Sequence, residues 1–462
     1  MPHASFFKLS VAFEHPLKGE KTIRRVWLTP LRFILTESTR DEAIEPSPKD
    51  ACTLLKSFRP KKALLGYSDV RIFLSQKIGF ATYGSVPPKT VRLSALLLNF
   101  SASFIGDTLM LNFSCDYLDG AHPKVFEALQ KCNYVKTGCY GVGDAISDAA
   151  RTKIRQVCGA SEAEIYFLSG GTQVNKVVLS TLLKPWQSVI AAKTGHIAAH
   201  EAGAIEASGH KVVEVPGKDG KLSAQQIDAE FEAWEKDGNR DHIPQPGAVY
   251  VTQPTEYGTL YRLEELTAIS ECCRRHGAAL YLDGARLFYG LAAKDNDVTL
   301  ADIAHLCGAF YIGGTKCGLL FGEAVVFPKA GTVPHFFTLT KQYGALMAKS
   351  KVLGAQFDAL FTDDLGMSMG RHADKEADRV REALKKNGYK VLFGGSTNQI
   401  FILLTNSEAE KLQQSVIMGF WERTDADHVI ERIATSWATD PKETDALIDV
   451  LRQSASVVED EN

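Results

Sequence analysis

The chain has 462 residues, with 52 Lys+Arg against 55 Asp+Glu (formal charge −3) and 45% hydrophobic residues, the profile of a globular protein with room for two or three domains. That balance, with a pI near 6.5, excludes a general nucleic-acid binder, which needs a basic face. No apolar run approaches the ~20 residues of a membrane span, and nine cysteines without CxxC or zinc-ligand spacing read as reduced thiols in a cytoplasmic protein.

Residues 1–109 hold 16 Lys+Arg and 9 Asp+Glu, a net charge of +7, which leaves −10 for the remainder. Their short apolar runs build no repeating period, and Pro46, Pro48, Pro60, Pro87 and Pro88 punctuate them. Arg24, Arg25 and Arg32 lie in a stretch with few acids, as in a targeting peptide. Glu14 and Glu20 interrupt it, however, and no apolar segment with a small-residue cleavage site follows. The expectation is an irregular N-terminal extension outside the catalytic fold, with Met110, where the charge sign reverses, as a candidate alternative start.

From Met110 the texture changes. Strand-like runs at 163–168, 188–192, 211–215, 248–252, 278–282 and 309–312 alternate with amphipathic segments at 125–133, 173–183, 223–235 and 263–275. Apolar strands separated by helices predict a parallel sheet covered on both faces. Beyond about residue 330 helical patterns dominate, with strands expected at 391–393 and 400–404. The predicted architecture is α/β. A large domain over 110–330 carries a mostly parallel sheet, and a smaller α+β domain spans 331–462.

Four motifs stand at the ends of these strands, where an open α/β sheet places its ligand. In Ser169-Gly170-Gly171-Thr172, glycines let the backbone approach a phosphate, and the helix N-terminus that follows favours its charge. The same run also reads as a plain strand-to-helix turn. His196 and His200 are four apart on a predicted helix face, but neither HExxH nor HxxEH is present, which argues against a metal; His196 suits stacking on a planar cofactor. In Tyr281-Leu282-Asp283-Gly284-Ala285-Arg286, the strand-end carboxylate can hold a protonated pyridine nitrogen or cap a helix. Ile312-Gly313-Gly314-Thr315-Lys316-Cys317-Gly318 offers one lysine in a glycine turn with no acid within six residues, suited to covalent attachment of a carbonyl.

Taken in that order, these motifs resemble the pyridoxal-phosphate enzymes of the aspartate-aminotransferase fold type (fold type I). Within them the chain is most similar to the low-specificity L-threonine aldolases of the β-eliminating lyase group. The likeness covers 110 to about 455 and is also carried by Asn112-Phe113-Ser114-Cys115-Asp116-Tyr117 and the run 432–439. It implies pyridoxal 5′-phosphate as cofactor, attached to Lys316, with Asp283 at the pyridine nitrogen and His196 stacked on the ring. Gly171, Thr172 and Thr315 would hold the phosphate. Arg432 would bind the carboxylate of an amino-acid substrate, with Ser114 and Arg286 around the same carboxylate and the cofactor. The implied reaction cleaves L-threonine or L-allo-threonine to glycine and an aldehyde, with His196 or Glu256 as the base. The implied assembly is a homodimer or homotetramer.

Three positions depart from the family pattern. Many aldolases have a His in the segment that here reads Gln253-Pro254-Thr255-Glu256-Tyr257-Gly258-Thr259, and Glu256 at the match bears on the substrate side chain rather than on the cofactor. The lysine turn reads Thr-Lys-Cys where Ser-Lys-Gly is common, and Lys349 stands near the place of a neighbouring-subunit arginine. Two other readings stay open: β-elimination or transamination of another amino acid, and a pyridoxal-phosphate fold serving as a non-catalytic binding module.

Overall fold

The computed structural model describes residues 110–459 together with strands Ser10–Glu14 and Lys21–Arg25. Those two strands pair antiparallel, Ser10 opposite Arg25, a hairpin in a stretch where the sequence shows no period. The remaining expectations for 1–109 lie outside the described residues. The chain divides into two compact units, 1–91 and 92–462, and the second holds everything described below.

Its centre is a sheet of seven strands: β1 (Glu164–Leu168), β2 (Gln187–Ala192), β3 (Val212–Val215), β4 (Gln245–Thr252), β5 (Ala279–Asp283), β6 (Ala309–Gly313) and β7 (Glu323–Phe327). The spatial order is β1-β7-β6-β5-β4-β2-β3. Neighbours from β6 to β3 are parallel, whereas β7 is antiparallel to both β1 and β6. Strands β1–β6 match the predicted runs to within three residues; β7 was not expected. It follows β6 after a loop of nine residues, too short for the crossover a parallel return requires, so the chain comes back antiparallel.

Side chains alternate across the sheet. Val249, Val251, Leu280, Leu282, Phe310 and Ile312 enter one core, while Ala248, Tyr250, Tyr281, Ala309 and Tyr311 enter the other. Burial on both faces is why these strands read as continuous apolar runs. Helices Ala224–Lys236 and Leu263–Arg275 cover the first core through Ile227, Phe231, Leu266 and Ile269. Helix Gly171–Leu182 covers the second through Val174, Val177 and Val178.

A smaller antiparallel sheet comprises β8 (Lys390–Leu392), β9 (Gln399–Thr405), β10 (Gly419–Arg423) and β11 (His428–Ala434), in the order β8-β9-β11-β10. Its core unites Ile400, Ile402 and Ile433 with Val380 and Leu384 of helix Leu365–Lys386, Leu447 of helix Pro441–Glu459, and Phe113. Phe113 thus ties the segment after Met110 to this sheet. Among the described residues no helix is long and apolar enough to cross a membrane.

Candidate active site

The ends of the parallel strands and the start of antiparallel β7 share one edge of the large sheet. There the loops after β1, β2, β4, β5 and β6, together with Glu323, enclose a cleft of about 310 Å³. Lys316, His196, Glu256, Asp283, Gly171, Thr172, Thr315 and Arg286 all line it. Arg432 and Ser114 stand outside that lining. A larger cavity of about 430 Å³ beside β1 contains none of these residues.

Asp283 ends β5 and is buried. Its Oδ2 accepts from Tyr250 Oη at 2.7 Å and Asn175 Nδ2 at 3.0 Å, and its Oδ1 from the Ala285 N–H at 2.9 Å. The next helix begins only at Leu287, with Arg286 at its cap, so Asp283 caps no helix. Asn175 also donates to Glu201 at 2.7 Å and accepts from Tyr281 Oη at 2.8 Å. Tyr250, Tyr281 and Tyr311 lie on one face of adjacent strands. Burial first, and the Asp283 charge second, push all three hydroxyls well above the ordinary phenol range, which keeps them donors.

The predicted helix bearing both histidines is only His196–Ala199, so His196 and His200 do not share an extended face; their rings sit 5.7 Å apart and tilted. His196 Nδ1 meets Glu201 Oε1 at 2.7 Å. Glu256 is buried; its Oε1 accepts the His196 backbone N–H at 2.8 Å and its Oε2 the Thr252 hydroxyl at 3.0 Å. Burial outweighs these bonds and raises its carboxyl to about 7.

The glycines of the lysine turn serve close approach to the protein's own backbone. A Cβ on Gly313 would come within 2.3 Å of Ala285 O, and one on Gly314 within 2.6 Å of Gly322 O. Burial, then the Arg286 guanidinium, hold the Lys316 ammonium below the usual lysine range, the condition under which an amine becomes nucleophilic. No acid within six residues pairs Lys316 in sequence, but Glu323 closes its turn. Glu323 Oε2 accepts the Gly314 N–H at 2.9 Å and Oε1 the Thr315 hydroxyl at 2.7 Å.

Arg286 does not present a free fork. Its Nε and Nη2 bind both oxygens of Asp116 at 2.6 and 2.9 Å, and Asn398 adds a third bond to that carboxylate. Burial pushes Asp116 up, but Arg286 overrides it and brings the carboxyl down to about 2. Arg432, on β11, is anchored through Nη2 to the Ser114 carbonyl at 2.8 Å, with a long 3.3 Å bond from Nη1 to Gln399. Its buried Nε has no partner. The Ser114 hydroxyl instead turns to Asn112. Trp421 lies between Arg432 and His200: Arg432 lies 5.6 Å from its ring centre, and His200 lies 5.4 Å away on the same ring.

Among the described residues, Asp228, Cys272 and His276 bring three metal-capable atoms within 4.8 Å. Asp228 Oδ1 there is already taken by His276 Nε2 and Arg275, and none of the three lines the cleft. Sequence reasoning missed Asn175, Glu201, Asp116, Glu323 and the three tyrosines. Their signal was a polar side chain standing inside, or just beside, an apolar strand or helix.

Pyridoxal phosphate fits this donor set. Helix Gly171–Leu182 opens on the cleft with no side-chain cap, which leaves first-turn N–H groups for a phosphate. Asp283 offers a fixed acceptor that a ring N–H could meet, and Lys316 an amine of lowered basicity.

Comparison with known proteins agrees. Residues 136–407 match the family model described as beta-eliminating lyase. The low specificity L-threonine aldolase of Pseudomonas aeruginosa is 30% identical over 333 residues, 71% of this chain and 93% of that one. A second, from a Pseudomonas species, is 30% identical over 306 residues, 65% of this chain and 86% of that one. A solved structure of Leishmania major threonine aldolase superposes with a TM-score of 0.72 at 40% identity, covering 74% of this chain and 99% of that one. Aspartate aminotransferase from Thermus thermophilus, 16% identical with a TM-score of 0.58 over 80% of this chain and 97% of that one, shares the fold. The chain therefore belongs to the beta-eliminating lyase family and is a pyridoxal-phosphate-dependent lyase of fold type I.

Proposed function

We propose that this enzyme cleaves the Cα–Cβ bond of L-threonine and L-allo-threonine, giving glycine and acetaldehyde. The observation that carries the reading is Glu256, a buried cleft carboxyl at about 7 held by two donors. A base of that strength is matched to taking a β-hydroxyl proton near neutrality. The relatives named for threonine cleavage support the same substrate class.

In this reading Gly171, Thr172 and Thr315 hold the cofactor's phosphate, Asp283 its ring nitrogen and His196 its ring face, with Lys316 as the attachment point. The cofactor, when bound, supplies the sink for the electron pair left at Cα. Arg432 receives the substrate carboxylate on Nε–H and the free hydrogens of its two Nη groups, while Ser114 fixes the guanidinium through its carbonyl. Arg286, engaged with Asp116, keeps the basicity of Lys316 low. Glu256, or His196 beside it, accepts the hydroxyl proton as the Cα–Cβ bond breaks; the aldehyde departs, and a proton returned to Cα completes glycine. The working form is a cytoplasmic homodimer or homotetramer whose catalytic fold spans 110–462.

An amino-acid panel with product analysis tests this. Glycine and acetaldehyde in equal amounts from L-threonine are expected. A 2-oxo acid with ammonia would instead indicate β-elimination, and a 2-oxo acid with an aminated acceptor would indicate transamination.

A further inference from the structure

The Thr315 hydroxyl spends its one hydrogen within its own loop. It donates to Glu323 Oε1 at 2.7 Å and accepts from the Gly322 N–H at 3.0 Å. A hydroxyl has one hydrogen and two lone pairs, so in this arrangement Thr315 has nothing to donate to a phosphate. Glu323 is buried at the start of β7, opposite Leu168 and Gly313, and lines the cleft with Gly171 and Thr172. An ionised carboxylate there would oppose the phosphate charge.

We propose that Glu323 takes up a proton when the cofactor's phosphate enters the cleft, reversing its hydrogen bond with Thr315 so that the Thr315 hydroxyl donates to the phosphate. This rests on the reading above that the phosphate sits between Gly171, Thr172 and Thr315. Protonated Glu323 gives its O–H to the second lone pair of Thr315 Oγ1 and still accepts the Gly314 N–H on its other oxygen. Its surroundings favour the exchange. Burial, opposed by the Thr315 and Gly314 bonds and by Lys316 but aided by Asp283, raises its carboxyl to about 7. Tyr281 and Tyr311 from the sheet and Cys317 from the turn also face it, and each is held in its neutral form.

The test uses the full-length chain freed of cofactor and titrated with pyridoxine 5′-phosphate, which carries the phosphate but no aldehyde for Lys316. Calorimetry at pH 8 in two buffers of different ionisation enthalpy reads proton uptake directly. Wild type should take up about one proton more than Glu323→Gln, and its Kd should rise with pH above about 7 up to about tenfold per unit more steeply. The glutamine mimics the protonated acid, donating to Thr315 and accepting from Gly314. Equal proton uptake and equal slopes overturn the proposal. Should Glu323→Gln fail to fold, the infrared difference spectrum of wild type decides: a protonated carboxyl C=O band must appear on binding at pH 8, and its absence overturns the proposal. Gly171→Val separates the two readings. If it binds the probe like wild type, the phosphate placement and the Glu323 inference both fall. If it loses affinity while Glu323→Gln shows undiminished proton uptake, only the inference falls.

Discussion

Glu256 Oε1 accepts the backbone N–H of His196 at 2.8 Å across sixty residues of chain, so the β4 loop carboxylate and the β2 loop backbone at His196 are joined at the cleft wall. Glu256→Gln keeps the acceptor but cannot take a proton. Loss of a general base typically costs roughly 10²–10⁴-fold in rate, and a fall of that order in kcat is expected with cofactor absorbance unchanged. As the proposed base Glu256 would act deprotonated, and with its carboxyl at about 7 wild-type turnover should rise as pH passes upward through that value. A Gln variant retaining the same pH limb would assign the base elsewhere.

Lys316→Ala should abolish turnover. Borohydride reduction of the loaded variant should leave no cofactor on the chain by mass, whereas the wild-type chain should gain it. Covalent label persisting on the variant would overturn the assignment.

Arg432→Ala removes the guanidinium whose buried Nε lacks a partner. Truncating one member of a buried charged pair costs roughly 2–5 kcal/mol, so a rise in KM of at least tenfold is expected for L-threonine and L-allo-threonine. Unchanged KM values would place the carboxylate elsewhere.

Asp116→Ala strands the buried Arg286 fork, a loss of roughly 3–5 kcal/mol in stability that thermal unfolding would register. The native carboxyl lies at about 2, below its ordinary 3.8. The pair's contribution is therefore complete above the unfolded value and lost as pH falls through the folded one. Wild-type Tm should drop more steeply between pH 4 and 2 than that of Asp116→Asn.

A chain beginning at Met110 should fold, bind cofactor and cleave threonine as the full chain does, since Phe113 and Ser114 supply the core and Arg432 contacts. Insolubility or loss of cofactor would make 1–109 part of the fold.

The inner strands β4–β6 were legible because burial on both faces writes apolar runs, and β1–β3 because short apolar runs survive beside Glu164 and Glu214. Strand β7 opens on a charge, and β11 carries Glu431-Arg432 at its middle. Strand β10 is broken by an irregularity between Phe420 and Glu422. In β7 and β11 the charged residues Glu323 and Arg432 broke the apolar pattern, and in β10 the register shift did. The turn residues Gly171, Asp283 and Lys316 stood out at strand ends. Asn175 did not, because its partners Glu201 and Asp283 lie 26 and 108 residues away, and a buried Tyr250 or Tyr281 looks like packing until its hydroxyl finds Asp283 or Asn175.

The bond between Glu201 and His196 also fixes where the imidazole carries its hydrogen. Glu201 Oε1 already accepts from Asn175 Nδ2, a group that can only donate. In its ionised form Glu201 has no hydrogen to give, and His196 Nδ1 then supplies the proton between them. The neutral ring is then the Nδ1–H tautomer, which leaves the lone pair on Nε2. Ionised Glu201, itself outside the cleft lining, thus makes a neutral His196 meet whatever lies beyond Nε2 as an acceptor.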